Sequence, residues 1–333
     1  MVIELEQYKL ESVPTKKLRL DPENPRFYHL QLKGRHELTQ DDLNKEIWDE
    51  DATITLSKAV AHEGIRNPIV VWPIDDYFLV IDGNRRVVTV RRLIHEEVKP
   101  PEGVSFDHIS AYILPRNTPK QEIEVLKGVL QMGQKPWGPF NDAAYVRRLR
   151  VVYKMEYEDI AASIQLSVKE IKERMANYSL FEEYTQATKD MDPSRFSYFA
   201  DAPRPVRDWF ESSDRNLNTY FQLICPTSPT HKIRSVSTKG GLRDFAKILG
   251  DAQVLERLIS DPDVTVEDAL DGARAKNPML ANPFLKQVGG WATKLKGLDG
   301  SEIEQLKREP RFKLELGRLK DACTELLERL KST

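Results

Sequence analysis

Residues 77–94 read YFLVIDGNRRVVTVRRLI. The apolar run Tyr77–Ile81 is short enough for a strand and stops at Asp82-Gly83-Asn84. The residues after it have helical spacing, with Val87, Val90 and Ile94 on one face. A strand that enters a helix through one glycine requires a sheet, a helix leaning on it, and a corner that only glycine forms easily. In that corner the amides of Asn84, Arg85 and Arg86 fall in the first helical turn. There they have no intrahelical acceptor and sit at the positive end of the helix dipole, a setting that attracts anions. Cationic side chains at this end oppose the dipole by about a few tenths of a kcal/mol, and a bound polyphosphate reverses that penalty. Asp82 suits Mg²⁺ or the orientation of an arginine. The competing reading is that Arg85 and Arg86 form surface ion pairs with Glu96 or Glu97.

Residues 11–30 read as a short strand followed by turn chemistry at DPENPR, and 31–52 as a polar loop or insertion. A helix is expected over 53–64, ending on Gly64. Strands are expected at 67–73 and 75–82, joined by a turn at Asp75-Asp76, and again at HISAYIL. To about residue 115 this is a compact α+β unit, and beyond it the pattern is helical. Asn141 is expected to cap a helix over 142–153 with Tyr145, Leu149 and Val152 inward. The expected division is 1–116, 117–185 and 186–333, with a last helix at 312–330.

A length of 333 residues suits two or three domains. No run approaches the ~18 apolar residues of a membrane helix, and the acidic start MVIELEQYKLESVP has no apolar signal core. The expectation is a cytoplasmic protein that does not cross a membrane. Cys225 and Cys323 stand alone, which argues against a zinc knuckle or a disulfide scaffold. His29, His36, His62, His95, His108 and His231 form no HxH or HExxH spacing. Net charge is -2, so any nucleic-acid contact has to come from a local patch.

Three pieces from Leu20 to about Leu114 occur in the order of one family. They are Asn24-Pro25-Arg26, then LSKAVAHEGIRNPIVV with Gly64, Pro68 and Ile69, then VIDGNRRVVTVRRL. Together they resemble the N-terminal domain of ParB-type proteins, which is related in fold to sulfiredoxin. The last piece looks like the family's G-E-R-R phosphate loop, with Asn84 in place of the usual Glu. Sulfiredoxin carries its catalytic Cys at that position, so the resemblance does not extend to peroxiredoxin repair. Asp82 is similar to the aspartate of a D-G-Q-Q-R nucleotidase branch. The resemblance implies a nucleoside triphosphate, CTP with Mg²⁺ as in ParB proteins, or ATP or GTP as in other branches. It implies phosphate contacts from Gly83, Asn84, Arg85 and Arg86, with Asp82 as metal ligand. Gly64, Asn67 and Pro68 would line base and ribose, and Arg26 would approach from the first box. The family's metal-ligating E-N-x-x-R box would fall near 127–135, where no Glu-Asn pair occurs; Gln131 is the closest polar residue.

Residues 157–178 fit a helix-turn-helix: Ile160, Ala161 and Ile164, then Leu166 in the turn, then Val168, Ile171 and Met175. Ser167 is the expected cap of the second helix, and Gln165 occupies a turn position where glycine is usual. Its place after the first domain also resembles ParB proteins. Arg147, Arg148 and Arg150 are the candidate backbone grips, with Ser167, Lys169 and Lys172 nearest the bases. Eight Lys/Arg against six Asp/Glu between Lys135 and Ser179 is a modest excess, and a helical packing unit without DNA contact remains the alternative.

FSYFADAPRPVRDWF reads as core and surface, and HKIRSVSTKGGLRDFAKIL as a basic loop before a helix. Phe312, Leu316, Leu319, Cys323, Leu326 and Leu330 form a seam suited to packing within the chain or to a homodimer. Three functions follow. One is a nucleotide-controlled DNA-binding protein. Another is an NTPase, nuclease or small-molecule kinase using the DGNRR loop. The third is a non-catalytic adaptor with a protein partner in a defence or mobile-element system.

Overall fold

The computed structural model describes residues 5–32, 37–131, 137–276 and 283–331. The chain divides into two compact units, Met1–Ala246 and Lys247–Thr333. In the first, β1 (Lys9–Pro14), β2 (Leu18–Leu20), β3 (Ile69–Ile74), β4 (Tyr77–Asp82) and β5 (His108–Ile113) form a mixed sheet in the order β1-β5-β3-β4-β2. β3 and β4 are an antiparallel hairpin with Asp75 left-handed in its turn, φ 46°. β2 joins β4 in parallel, β5 joins β3 in parallel, and β1 runs antiparallel on β5.

Both faces of this sheet are buried because successive strand residues point to opposite sides. Ile69, Val71 and Val80 share one core with Leu43, Ile47, Val60, Val87 and Val90. Val70 and Ile81 share the other with Leu114, Ile123 and Leu126. The first core is closed by α2 (Gln40–Trp48), α3 (Asp51–Glu63) and α4 (Asn84–His95), and the second by α5 (Lys120–Gln131). Before them, α1 (Tyr28–Leu32) follows a 3-10 turn at Pro25–Phe27.

Helix α2 corrects the loop expected over 31–52; residues 33–36 of that stretch, His36 included, lie outside the described residues. Its start carries a capping box, Thr39 with Asp42, and its Leu43 and Ile47 are fully buried four residues apart. The α4 face is narrower than expected: Val87 and Val90 are buried, but Ile94 is exposed.

The rest of the first unit is helical: α6 (Pro139–Val151), α7 (Tyr157–Ile164), α8 (Val168–Thr188), α9 (Ser197–Ala200), α10 (Arg204–Phe210) and α11 (Asp214–Ile224). Helix α6 begins earlier than expected, with Gly138 at its cap, and Val152 is exposed rather than inward. Asn141 does not cap it. Its side chain instead accepts from His29 N (3.1 Å) and donates to Arg26 O (3.1 Å), stapling α6 to the segment after β2. The aromatic stretch 196–210 is core: Phe196, Tyr198, Phe199, Val206 and Phe210 are buried. Rings from neighbouring helices meet there, Phe140 with Phe181 at 5.3 Å and Tyr184 with Phe221 at 5.6 Å. In the basic loop ahead of α12 (Leu242–Ile248), Asp244 accepts from Gly240 N at 2.9 Å.

In the second unit, α13 (Ala252–Ser260) and α14 (Val266–Lys276) bury Val254, Leu258, Val266 and Leu270. Helices α15 (Pro283–Lys296), α16 (Gly300–Lys307) and α17 (Pro310–Lys331) follow. On α17 Leu316, Leu319 and Leu326 are exposed, while the Leu330 side chain lies outside the described residues.

The β4–α4 corner depends on Gly83, at φ 94°, where an added Cβ would lie 2.4 Å from Ile69 Cγ2. Gly83→Ala is expected to destabilise the first unit by about 2–4 kcal/mol, combining left-handed strain with overpacking. Urea unfolding followed by circular dichroism checks this; a loss under about 0.5 kcal/mol would mean the corner relaxes freely.

Candidate functional site

The corner opens on a cleft of about 380 Å³. Its walls include Arg26, Asn67, Asp82, Gly83, Asn84, Arg85 and Arg86, which come from three separate parts of the sequence. Val87 N donates to Gly83 O at 3.0 Å, the first bond of α4. The amides of residues 84–86 therefore precede the helical ladder and have no acceptor within it.

Each arginine has a carboxylate. Glu50, at the cap of α3, accepts from Arg26 Nη1 on Oε1 and from Arg85 Nε on Oε2, both at 2.9 Å. Arg86 Nη2 donates to Asp82 Oδ2 at 2.6 Å, and Arg86 Nη1 donates to the carbonyls of Asn67 and Pro68, both at 2.7 Å. The ion pairs of the competing reading do form, but with Glu50 and Asp82 rather than Glu96 or Glu97; Glu96 pairs with Arg92. Burial lowers the pKa of Arg26, and Arg85 beside it adds to that, against the pull of Glu50.

Two polar atoms of the corner are buried without any hydrogen-bond partner: Asn84 Oδ1 and Arg85 Nη2. Orphaned groups of this kind carry a desolvation cost of roughly 1–3 kcal/mol each, which a ligand can remove.

Pro68 takes part through its carbonyl rather than through the cleft wall. Gly64 stands apart from the wall: it ends α3 at φ 75°, and an added Cβ would lie 2.9 Å from Val104. The wall also holds Asn24 of the first motif and Gln131, together with Leu56, Lys127 and Trp137, to which sequence reasoning gave no role in this site. Of the stretch 127–135, residues 132–135 lie outside the described residues. Among the described residues, no cluster of three or more His, Cys, Asp or Glu is set to hold a metal.

Lys127 is the least expected member. It is 4% exposed, and its ammonium lies 2.6 Å from Asp21 and 2.7 Å from Glu124. Burial works against its charge, but the two carboxylates outweigh burial and raise its pKa. Burial likewise raises the pKa of Glu124, against Lys127 and Arg148. A lysine beside Ile123 and Leu126 on an amphipathic helix was the available signal.

Helices α7 and α8 lie where the two-helix motif was read. Gln165 takes the left-handed conformation, φ 53°, at the end of α7. Ser167 caps α8 in a reciprocal box with Glu170, which turns that glutamate back onto the helix start. Lys169 and Lys172 are exposed. The three arginines of α6 are engaged within the protein. Arg147 pairs with Glu182, Arg148 with Glu23, and Arg150 with Glu156, at 2.8, 2.9 and 2.8 Å.

No protein-family model matches the sequence, and no curated protein matches it. Solved structures do. The C-terminally truncated chromosome-partitioning protein ParB from Caulobacter crescentus complexed with CTP-gamma-S matches at 14% identity and TM-score 0.24, over 76% of this chain and 99% of that one. The same protein complexed to the centromeric parS site matches at 17% identity and TM-score 0.32, over 64% and 98%. A Pnob8-like ParB-N domain matches at 13% and 0.26, over 84% and 92%. These structures carry the family name that the ordered motifs of residues 20–114 resemble. Likenesses this loose add nothing to the argument from the residues themselves.

Lys127→Met would leave Asp21 and Glu124 buried without their cation, at an expected cost of about 3–5 kcal/mol near neutral pH. Glu124, whose pKa burial already raises, would lose the cation that opposes burial, so the folded state would bind more protons than the unfolded state. The deficit therefore shrinks as pH falls. In the native protein the raised Lys127 pKa makes its contribution persist past the ordinary lysine value of 10.5 and disappear as pH climbs through the folded value. Denaturation of both proteins from pH 4 to 11 checks the sign; a deficit that grows toward acid would contradict it.

Proposed function

We propose that the Gly83 corner binds the phosphates of a nucleoside triphosphate. The observation that carries this reading is Arg85 Nη2, a cationic donor buried without an acceptor beside a helix start that attracts anions. Arg26, Arg85, Arg86 and Lys127 bring four cations to one cleft. Phosphate oxygens would take over donors that Glu50 and Asp82 hold. CTP is the first nucleotide to try, because the ordered motifs resemble ParB; ATP and GTP follow. Asp82 bonds Arg86 through Oδ2, leaving Oδ1 for a Mg²⁺ ion carried in by the phosphates, and hard oxygen ligands suit that ion.

Melting temperature with each nucleotide and Mg²⁺ tests the site. A nucleotide at 100 times its dissociation constant adds about 2.7 kcal/mol. Arg85→Ala with Arg86→Ala is expected to abolish the shift, and an undiminished shift would move the site elsewhere.

We also read α7 and α8 as a helix-turn-helix that binds DNA through Lys169 and Lys172, under control of the cleft. The support is a continuous polar path. Lys127 lines the cleft and pairs with Glu124, and Arg148 of α6 reaches Glu124 at 3.8 Å and Glu23 at 2.9 Å. Rearranging the cleft would move charges that position α6. The exposed seam of α17 suits a second copy of the chain. Lys169→Ala with Lys172→Ala is expected to lower the slope of log affinity against log salt by about 2, roughly one per lysine. Nucleotide is expected to change DNA affinity by about 5–150-fold. Binding indifferent to both would return α7–α8 to a packing role.

A further inference from the structure

A second groove lies on the same unit, built from other residues. Its volume is about 920 Å³, and its walls come from the turn after β1, the start of α2, the last turns of α4 and the start of β5. The turn is anchored firmly: Thr15 Oγ1 donates to Phe106 O at 2.6 Å, and Thr15 N donates to Asp107 O at 2.8 Å. Gln40 ties α2 to β2 by bonding both the amide and the carbonyl of Leu20, each at 2.8 Å.

Two guanidinium groups converge in this frame. Arg91 Nη2 donates to Leu18 O at 2.7 Å, and Arg19 Nη1 donates to the same oxygen at 3.0 Å. The other Arg91 bond, from Nη1, goes to Asn44 Oδ1 at 2.9 Å, a neutral acceptor. Neither arginine, nor Lys16 beside them, forms an ion pair among the described residues. This differs from the first cleft, where every arginine has a carboxylate. Burial lowers the pKa of Arg91, and Arg19 adds to it, with only Asp41 opposing. A single arginine would suffice to cap the Leu18 carbonyl. Arg19 Nη1 also donates to Lys16 O at 3.1 Å, so both guanidinium groups are held in place by carbonyls while their like charges stay uncompensated by a paired carboxylate.

We propose that Arg19, Arg91 and Lys16 form an anion site for a single phosphate group. Planar guanidinium forks match phosphate oxygens in pairs, and a desolvated cation gains most from a counter-ion. Asp41 and Asp107 also line the groove. They break any continuous positive track, so the site suits one compact phosphate rather than the length of a duplex. The phosphate can come from a small phosphorylated molecule or from the 5′ end of a nucleic-acid strand.

The test uses the full chain and three probes: inorganic phosphate, a 5′-phosphorylated tetranucleotide and its 5′-hydroxyl counterpart. Binding is read by phosphorus NMR line broadening and by calorimetry. Arg85→Gln with Arg86→Gln silences the first cleft and is expected to leave a phosphate-binding event. Arg19→Gln, which keeps both Arg91 hydrogen bonds, is expected to weaken that event roughly tenfold or more. Arg91→Gln serves as a second variant, with circular dichroism as the folding check. Phosphate binding without preference for the phosphorylated strand points to a small molecule, and a clear preference for it points to a strand end. Phosphate binding that ignores Arg19→Gln in a folded protein overturns the site, as does no binding at all in the Arg85→Gln/Arg86→Gln protein. Neither result bears on the nucleotide reading, which depends on the residues removed in that background.

Discussion

Gly83 turns the chain from β4 into α4 because it has no Cβ. At φ 94° any other side chain would be strained, and it would run into Ile69 on the neighbouring strand. That contact sets how closely α4 lies on the sheet, and hence where Asn84, Arg85 and Arg86 begin. Two atoms of these residues, Asn84 Oδ1 and Arg85 Nη2, are buried without partners. Local packing and site chemistry are here one constraint: a looser corner would let water reach those atoms.

Around the corner, charge is balanced by carboxylates brought from other elements. Glu50 reaches Arg26 and Arg85 from the cap of α3, and Asp82 reaches Arg86 from the end of β4. The cleft is thus closed electrostatically but not sterically. A ligand has to compete for guanidinium donors, so it must be strongly anionic or bring a cation that takes the carboxylates. The groove at Arg19 and Arg91 has the opposite character, with cations preset and no carboxylate in ion-pair contact among the described residues. The two arginine clusters on one sheet domain therefore differ in whether a carboxylate of the chain already occupies their donors.

Much of the sheet was legible beforehand. The runs at 67–73 and 75–82 carry their own turn signal at Asp75-Asp76, and alternation sends Val70 and Val71 to opposite cores. Helix α2 was overlooked because its polar surface masked a four-residue spacing, Leu43 and Ile47, behind the Thr39–Asp42 box. Asn141 has the residue type of a cap, yet its amide joins α6 to Arg26 and His29. Side chains that can hydrogen-bond either locally or far away give no sign of that choice in sequence. Lys127 was missed for a related reason: a lysine on a helix reads as exposed unless its carboxylate partners, one of them more than a hundred residues away, are known.

What the sequence determined by itself is local and stereochemical. A strand, a glycine and a helix start place unpaired amides in a row, because backbone geometry over five residues allows little else. What only the tertiary structure decided is which charges meet there. Glu50 and Asp82 come to hold the arginines, Lys127 enters the wall, and Arg19 joins Arg91 on the Leu18 carbonyl. Those meetings depend on how helices from distant parts of the chain pack on the sheet. Such packing is set by the sum of many weak apolar contacts, and no short stretch of sequence encodes it.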